Sequence, residues 1–231
     1  MIKIENVSKK YGEGESAFSV LNNLSLEIND GEIVIIYGKS GSGKSTILNI
    51  LSGIDLPDSG SVIFDGIDIT KLSEKERTLF RRKNIGFVFQ FFNLIPTLTV
   101  EENLQLPLQL NNIQMSGDEI KSILSEVELS HKLKSEPDKL SGGEQQRIAI
   151  SRALIHQPKI ILADEPTGNL DYETGQKVIE LIDKSVRQKN KTMIMATHSK
   201  EVMGLADKLY MLKNGKLIEM DKKELYAGFT N

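Results

Sequence analysis

Gly38-Lys39-Ser40-Gly41-Ser42-Gly43-Lys44-Ser45 is the stretch whose reading decides the fold. Before it runs Glu32-Ile33-Val34-Ile35-Ile36-Tyr37, apolar on both faces as a buried parallel strand is. After it, residues 45–51 have helical character. Strand, glycine-rich loop and helix in that order are the setting in which the pattern G-x-x-x-x-G-K-[ST] acts as a phosphate-binding P-loop. The pattern alone also describes a flexible glycine loop; the flanking elements remove that reading. Glycines let the backbone curl until successive N–H groups point at phosphate oxygens. Lys44 then reaches the β- and γ-phosphates, the Ser45 hydroxyl ligates Mg²⁺, and the following helix aims its positive end at the same anion.

Outward from the loop, strand-like runs at 2–7 and 24–28 open the chain, and Asn29-Asp30-Gly31 is a tight-turn signal. Another short strand follows at 61–64. From about 91 to 158 the texture is helical, punctuated by Pro96, Pro107 and Pro137, and Ser116-Gly117-Asp118-Glu119 opens a capped amphipathic helix. Strand patterns return at 160–163, 192–196 and 208–212, with a helix over 174–186 between the first two. Strands alternating with helices indicate an α/β core with a parallel sheet, here interrupted by a helical insertion.

Composition narrows the classes. The chain has 231 residues and no cysteine, which excludes disulfides and thiolate metal sites and fits a reducing cytoplasm. A net charge of −3 lacks the basic surplus of a nucleic-acid binder, so no nucleic-acid partner is expected. The short cluster Arg81-Arg82-Lys83 reads as a solvated face. No signal peptide or run of the ~20 apolar residues that span a bilayer is visible, so a membrane role is expected to come through a separate chain.

A P-loop needs an acidic partner at the end of a neighbouring strand. Ile160-Ile161-Leu162-Ala163-Asp164-Glu165 supplies it. Asp164 would hold Mg²⁺ through water and Glu165, one residue on, would accept a proton from the attacking water; on these residues alone, two acids that simply end a strand in solvent are an equal reading. Two adjacent carboxylates with separate roles belong to ATP hydrolysis rather than to transfer onto a second substrate.

Between these elements lies Leu140-Ser141-Gly142-Gly143-Glu144-Gln145-Gln146-Arg147, which resembles the signature of the ATP-binding cassette (ABC) family. Ser141 and two glycines before a helix over 145–154 also suggest a second anion-seeking helix start. The resemblance covers essentially the whole chain. It implies a P-loop NTPase cassette as a single domain over 1–231. A RecA-like α/β core with a small antiparallel β subdomain occupies 1–90 and 159–231, and a helical subdomain 91–158. It further implies an ATP-induced head-to-tail homodimer in which Ser141, Gly143 and Gln145 of each subunit face the other's γ-phosphate. Tyr11 falls where the family stacks an aromatic on adenine; Gly38 to Ser45 and Thr46 hold the nucleotide. Gln90 matches the glutamine that touches Mg²⁺ beside Ser45 and Asp164, Asn169-Leu170-Asp171 the interface loop, and His198 the histidine at the γ-phosphate. Ser199 stands where the family often has Asp, a change confined to a helix-capping detail. His131 and His156 read as surface or packing residues.

The stretch 87–96, the run 164–171, Glu102-Asn103 and Leu106-Pro107-Leu108 resemble the lipoprotein-release and macrolide-export ATPases (LolD/MacB-like). That resemblance implies an ATPase, peripheral on the cytoplasmic face of the cell membrane, driving an integral-membrane permease. An FtsE-like regulator of an extracytoplasmic enzyme is the alternative. Soluble two-cassette or coiled-coil ATPases and P-loop kinases or GTPases lack a matching organisation here. Phe87 and Phe89 are expected in the core, and Phe91 and Phe92 in an exposed groove for a partner's coupling helix.

Overall fold

The computed structural model describes residues 1–221; positions 222–231 of the expected domain lie outside the described residues. In chain order the elements are β1 Ile2–Tyr11, β2 Phe18–Ile28, β3 Ile33–Tyr37, α1 Lys44–Leu51, β4 Ser59–Phe64, β5 Ile67–Asp68, α2 Glu74–Asn84 and β6 Ile85–Val88. There follow α3 Val100–Leu110, α4 Gly117–Glu126, α5 Gly142–Leu154, β7 Ile160–Asp164, α6 Tyr172–Gln188, β8 Thr192–Thr197, β9 Lys208–Lys213 and β10 Lys216–Glu219. They form two compact units, Met1–Arg81 with the described residues from Thr192 on, and Arg82–Lys191. The second unit therefore takes in β6 and β7 as well as the helical stretch expected over 91–158.

In the first unit β2, β1, β4 and β5 make an antiparallel sheet, as the expected β subdomain requires. Ile2, Ile4, Leu24, Leu26 and Ile28 are buried at alternating positions, so one face packs inward. The β1–β2 register sets Tyr11 across from Phe18. The same unit holds β3 between β8 and β9, both parallel to it, with β10 antiparallel on β9. Ile33 to Ile36 are fully buried, which explains a run apolar on both faces. Register pairs Tyr37 with Thr197 and with Met211, so the loops after β3, β8 and β9 emerge at one end of this sheet.

Helix α2 was not expected from the sequence, and one expectation changes. No residue of α2 is buried, so its sequence shows no apolar stripe from which a helix could be read. Nor is the Arg81-Arg82-Lys83 cluster a wholly solvated face. Half-buried Arg81 donates Nη1 to the carbonyl of Gly53 at 3.1 Å, satisfying backbone just beyond α1.

In the second unit β6 and β7 are parallel neighbours, Val88 opposite Ala163. Val100, Leu104 and Leu108 of α3, Ile120 and Leu124 of α4, and Ile148 of α5 form one buried cluster. The Ser116 start expected for a capped helix is a complete capping box with Glu119. Pro107 is not a break, because it lies inside α3, where Asn111 Nδ2 donates to its carbonyl at 2.9 Å. The four aromatic residues also sort differently. Phe87 and Phe89 are only half-buried, stacked on each other at 4.1 Å between ring centroids. Only Phe91 is open, at 72% exposure, whereas Phe92 is half-buried. Among the described residues no helix is long and apolar enough to cross a membrane.

Candidate functional site

In the first unit the phosphate loop leaves β3 at Gly38, whose N–H donates to the Thr197 carbonyl at 3.1 Å. That bond fixes the loop against the end of β8, and His198, the next residue, is exposed beside it. Gly43 sits at φ 102° immediately before α1, and a Cβ there would come within 2.6 Å of Val20 Cγ1. Only glycine tolerates both the angle and the contact. Around Gly41 nothing lies within 4 Å of a would-be Cβ, so that side of the loop is open. Lys44 is buried at 6% exposure and folds back so that Nζ donates to the carbonyls of Gly38 at 2.9 Å and Lys39 at 3.1 Å. The hydroxyl of Ser42 is buried without a hydrogen-bond partner. Helix α1 begins with no capping side chain and no acidic residue in its first turn. Its first N–H groups and its positive end are thus uncontested by any side chain, as an anion site requires. Ser45 is exposed on that first turn, with Thr46 half-buried next to it.

Tyr11 is held rigidly. Its hydroxyl donates to Asp55 Oδ2 at 2.6 Å, Thr46 is a further hydrogen-bond partner, and Lys9 Nζ lies 5.1 Å from the ring centroid. Lys9 also donates to Asp55 Oδ1 at 2.8 Å. Burial pushes the Asp55 carboxyl up, but hydrogen bonds from Lys9 and Tyr11 outweigh it and hold it below the ordinary value. Burial, then the bond to Asp55, raises the Tyr11 phenol, so the ring stays neutral. Phe18, 60% exposed, tilts against Tyr11 at 6.2 Å and lines a cleft of about 780 Å³ with Val20, Lys39, Ser40 and the β9–β10 turn. Neither Asp55 nor Phe18 was singled out from the sequence; Phe18 sits two positions before Val20, a strand-alternation signal that could have found it.

In the second unit Gln90 lies two residues beyond β6, Asp164 ends β7 and Glu165 is the next residue; the parallel pairing of these strands sets their ends side by side. Glu165 lies at φ 47°, a left-handed conformation that costs a non-glycine residue about 1–3 kcal/mol and clusters at functional sites. Gln90 Nε2 donates to Asn169 Oδ1 at 3.3 Å, and Asn169 Nδ2 returns a bond to the Gln90 carbonyl at 3.0 Å. Asp171 caps α6, accepting from Thr174 N–H at 3.0 Å. A Cβ on Gly143 would strike Thr174 Cγ2 at 2.3 Å, so this glycine is required by packing against α6.

The signature start carries a side-chain cap in addition to its glycines. Ser141 and Glu144 form a capping box: Ser141 Oγ accepts from Glu144 N–H, and Glu144 Oε2 accepts from Ser141 N–H at 2.7 Å. The hydrogen bond from Ser141 N–H is the main cause holding the Glu144 carboxyl below its ordinary value. Gln145 Nε2 is turned back onto the Leu140 carbonyl at 3.1 Å. One residue further, Gln146 is fully buried and was missed, because a polar residue on a helix reads as surface. His131 is exposed and His156 half-buried, and neither lies among these groups.

A phosphate loop on a parallel sheet, with a strand-end acid pair and a capped signature helix, defines a nucleoside triphosphatase cassette. The ABC transporter family profile matches residues 21–168, and the chain belongs to that family as an ATP-binding, ATP-hydrolysing cassette. It is 48% identical over 97% of its length to 91% of an uncharacterized ABC transporter ATP-binding protein of Mycobacterium tuberculosis. It is 40% identical over 94% of its length to 98% of the lipoprotein-releasing system ATP-binding protein LolD of Geobacter metallireducens. It matches the macrolide export ATP-binding/permease protein MacB of Campylobacter jejuni at 42% identity over 97% of this chain, spanning 34% of that longer protein. Among solved structures, the dimeric post-hydrolysis state of the cassette MJ0796, bound to ADP and Pi, superposes with TM-score 0.87 at 43% identity, over 96% of this chain and 98% of that one.

Proposed function

We propose that this cassette is the ATPase subunit of a LolD/MacB-type system, peripheral on the cytoplasmic face of the membrane, and that it pairs head to tail with a second copy when ATP binds. The observation that carries this reading is the uncapped start of α1 behind an open glycine loop, a ready site for one triphosphate. The dimeric state of the MJ0796 cassette supports the pairing.

In this mechanism Tyr11 takes the adenine on its face, and the loop from Gly38 to Ser45, with Thr46, takes the phosphates. Lys44 exchanges its loop carbonyls for β- and γ-phosphate oxygens. The hydroxyl of Ser45, the amide oxygen of Gln90 and the carboxylate of Asp164 are hard oxygen donors that fit Mg²⁺. With Gln90 Nε2 given to Asn169, its amide oxygen is the atom left for a cation. Among the described residues no group of three or more His, Cys, Asp or Glu gathers as a metal site, and these few oxygens leave positions for water and phosphate oxygens. When bound, Mg²⁺ would neutralise phosphate charge. Glu165 accepts the proton of the attacking water, and His198 orients the γ-phosphate. Ser141, Gly143 and Gln145 of the second copy close over the same phosphate. Hydrolysis removes the charge holding the pair, and the opening moves the helical segment against the permease.

Size-exclusion chromatography with light scattering on Glu165→Gln, with and without Mg-ATP, tests this reading. The variant should lose turnover by about 10²–10⁴-fold while shifting from monomer to dimer only with ATP. A variant that binds ATP and stays monomeric at every concentration rules out self-pairing.

A further inference from the structure

Helix α5 carries the signature at its start, and one turn later it carries Gln146, whose side chain has no access to solvent. Gln146 Nε2 donates to the Pro166 carbonyl at 2.6 Å and reaches the Phe89 carbonyl at 3.5 Å. Those carbonyls belong to the residues flanking the proposed machinery: Phe89 immediately precedes Gln90, and Pro166 immediately follows Glu165. The amide oxygen of Gln146 is buried with no partner, a cost that an apolar side chain of the same shape would avoid. Packing alone therefore does not account for an amide here. The bonds it makes do.

The same helix holds the far side of the Gln90 loop. Arg152 donates to the Asn93 carbonyl at 2.6 Å and to the Phe92 carbonyl at 3.0 Å. Phe92 at φ 60° and Asn93 at φ 50° are consecutive left-handed residues, a conformation that persists only where surrounding bonds enforce it. On the Glu165 side, Gly168 N–H donates to the Glu165 carbonyl at 3.0 Å, and a Cβ on Gly168 would lie 3.0 Å from Gln90 Nε2. The two loops are thus crowded together and joined by the Gln90–Asn169 pair, and from helix α5 the Gln146 amide reaches a carbonyl of each.

We propose that Gln146 is a positioning residue that links the signature to the hydrolytic groups of its own chain. A helix moves as a rigid rod over one turn. A displacement of α5 when Ser141 meets a partner's phosphate is then passed through one amide to the Gln90 and Glu165 loops. This makes the two ATP sites of a dimer report to each other. The inference rests on the reading that the signature serves the opposite subunit.

Gln146→Met keeps the shape and removes the donor. Its kcat per folded molecule should fall by about 10–100-fold, the cost of sub-ångström to ångström misplacement of catalytic groups. The Kd for ATP of the unpaired chain should stay within about twofold, because no nucleotide contact is removed. A kcat within twofold of the parent overturns the proposal, as does a loss of activity that merely tracks the unfolded fraction. Gln146→Glu adds a readout that a purely structural role would not move. A carboxyl beside two carbonyl oxygens titrates above the ordinary glutamate value, and only its protonated form can donate. The ratio of its kcat to the parent's should fall as pH rises; a flat ratio overturns the proposal. The double variant Gln146→Met/Glu165→Gln should still dimerise with Mg-ATP. If it fails to pair where Glu165→Gln pairs, Gln146 acts on association and the positioning role is wrong. If Glu165→Gln itself does not pair, the dimer reading fails instead, and kcat alone judges whether Gln146 positions its loops.

Discussion

Helices α1 and α5 both have glycine at their starts, yet their first turns are built in opposite ways. Helix α1 starts at a left-handed glycine, with no side-chain cap and no acidic residue. Helix α5 starts at Ser141 with a full capping box and the Glu144 carboxylate in its first turn. The first is an anion site waiting for an anion, and the second has two of its first N–H groups, those of Ser141 and Glu144, satisfied from within. One start can bind a nucleotide in a single chain. In the proposed dimer the other would meet a partner's phosphate, through the Gly142 and Gly143 N–H groups that its cap does not use. Under that proposal the order of events is ATP first, pairing second.

Lys44→Ala should break the α1 side of this comparison most severely. It removes a charge-assisted contact to phosphate worth about 1.5–3 kcal/mol, so ATP affinity of the single chain should fall by roughly 10–100-fold in a calorimetric titration. Unchanged affinity would mean the loop amides suffice. Ser141→Ala attacks the other start and should behave differently. Monomer ATP affinity should be unaltered, while the lost cap lowers stability by about 0.5–2 kcal/mol in urea denaturation. If Ser141→Ala weakens ATP binding in the single chain, the two helix starts are not independent and the proposed order of events falls.

What could be read in advance follows the same division. The phosphate loop, the acid pair after β7 and the strand run before Gly38 were legible because their chemistry fixes residue type and spacing together. The Ser141-x-x-Glu144 spacing was equally available, but the glycines drew it towards an anion site, and the capping box was missed where the one at Ser116 was not. Helix α2 shows no apolar stripe because none of its residues is fully buried, and its Ser73-x-x-Glu76 capping signal was passed over. Asp55 and Gln146 act through bonds to residues 44 and 20 positions away, and no local pattern marks a side chain whose partner is set by tertiary structure. Pro107 was misread for a different reason: it stands three residues before the end of α3, which continues past it to Leu110.

Glu144→Gln gives the smallest and sharpest test of the contrast between the two starts. Glutamine can still complete the capping box, so the variant removes the charge, together with its 3.8 Å pairing to half-buried Lys132. At pH 7 the parent should be more stable by about 0.3–1 kcal/mol, the worth of a carboxylate at a helix start. Because the folded Glu144 titrates below its ordinary value of 4.5, this stability is present above that value and is lost as pH falls through the lower, folded one. Urea titrations of both proteins at pH 7, and again about one to two units below 4.5, should therefore converge at the acid end. Other acids that titrate in that range are common to both chains and cancel in the difference. A gap that persists in acid would assign it to hydrogen-bond geometry, and no gap at pH 7 would mean that α5 presents its positive end as openly as α1 does.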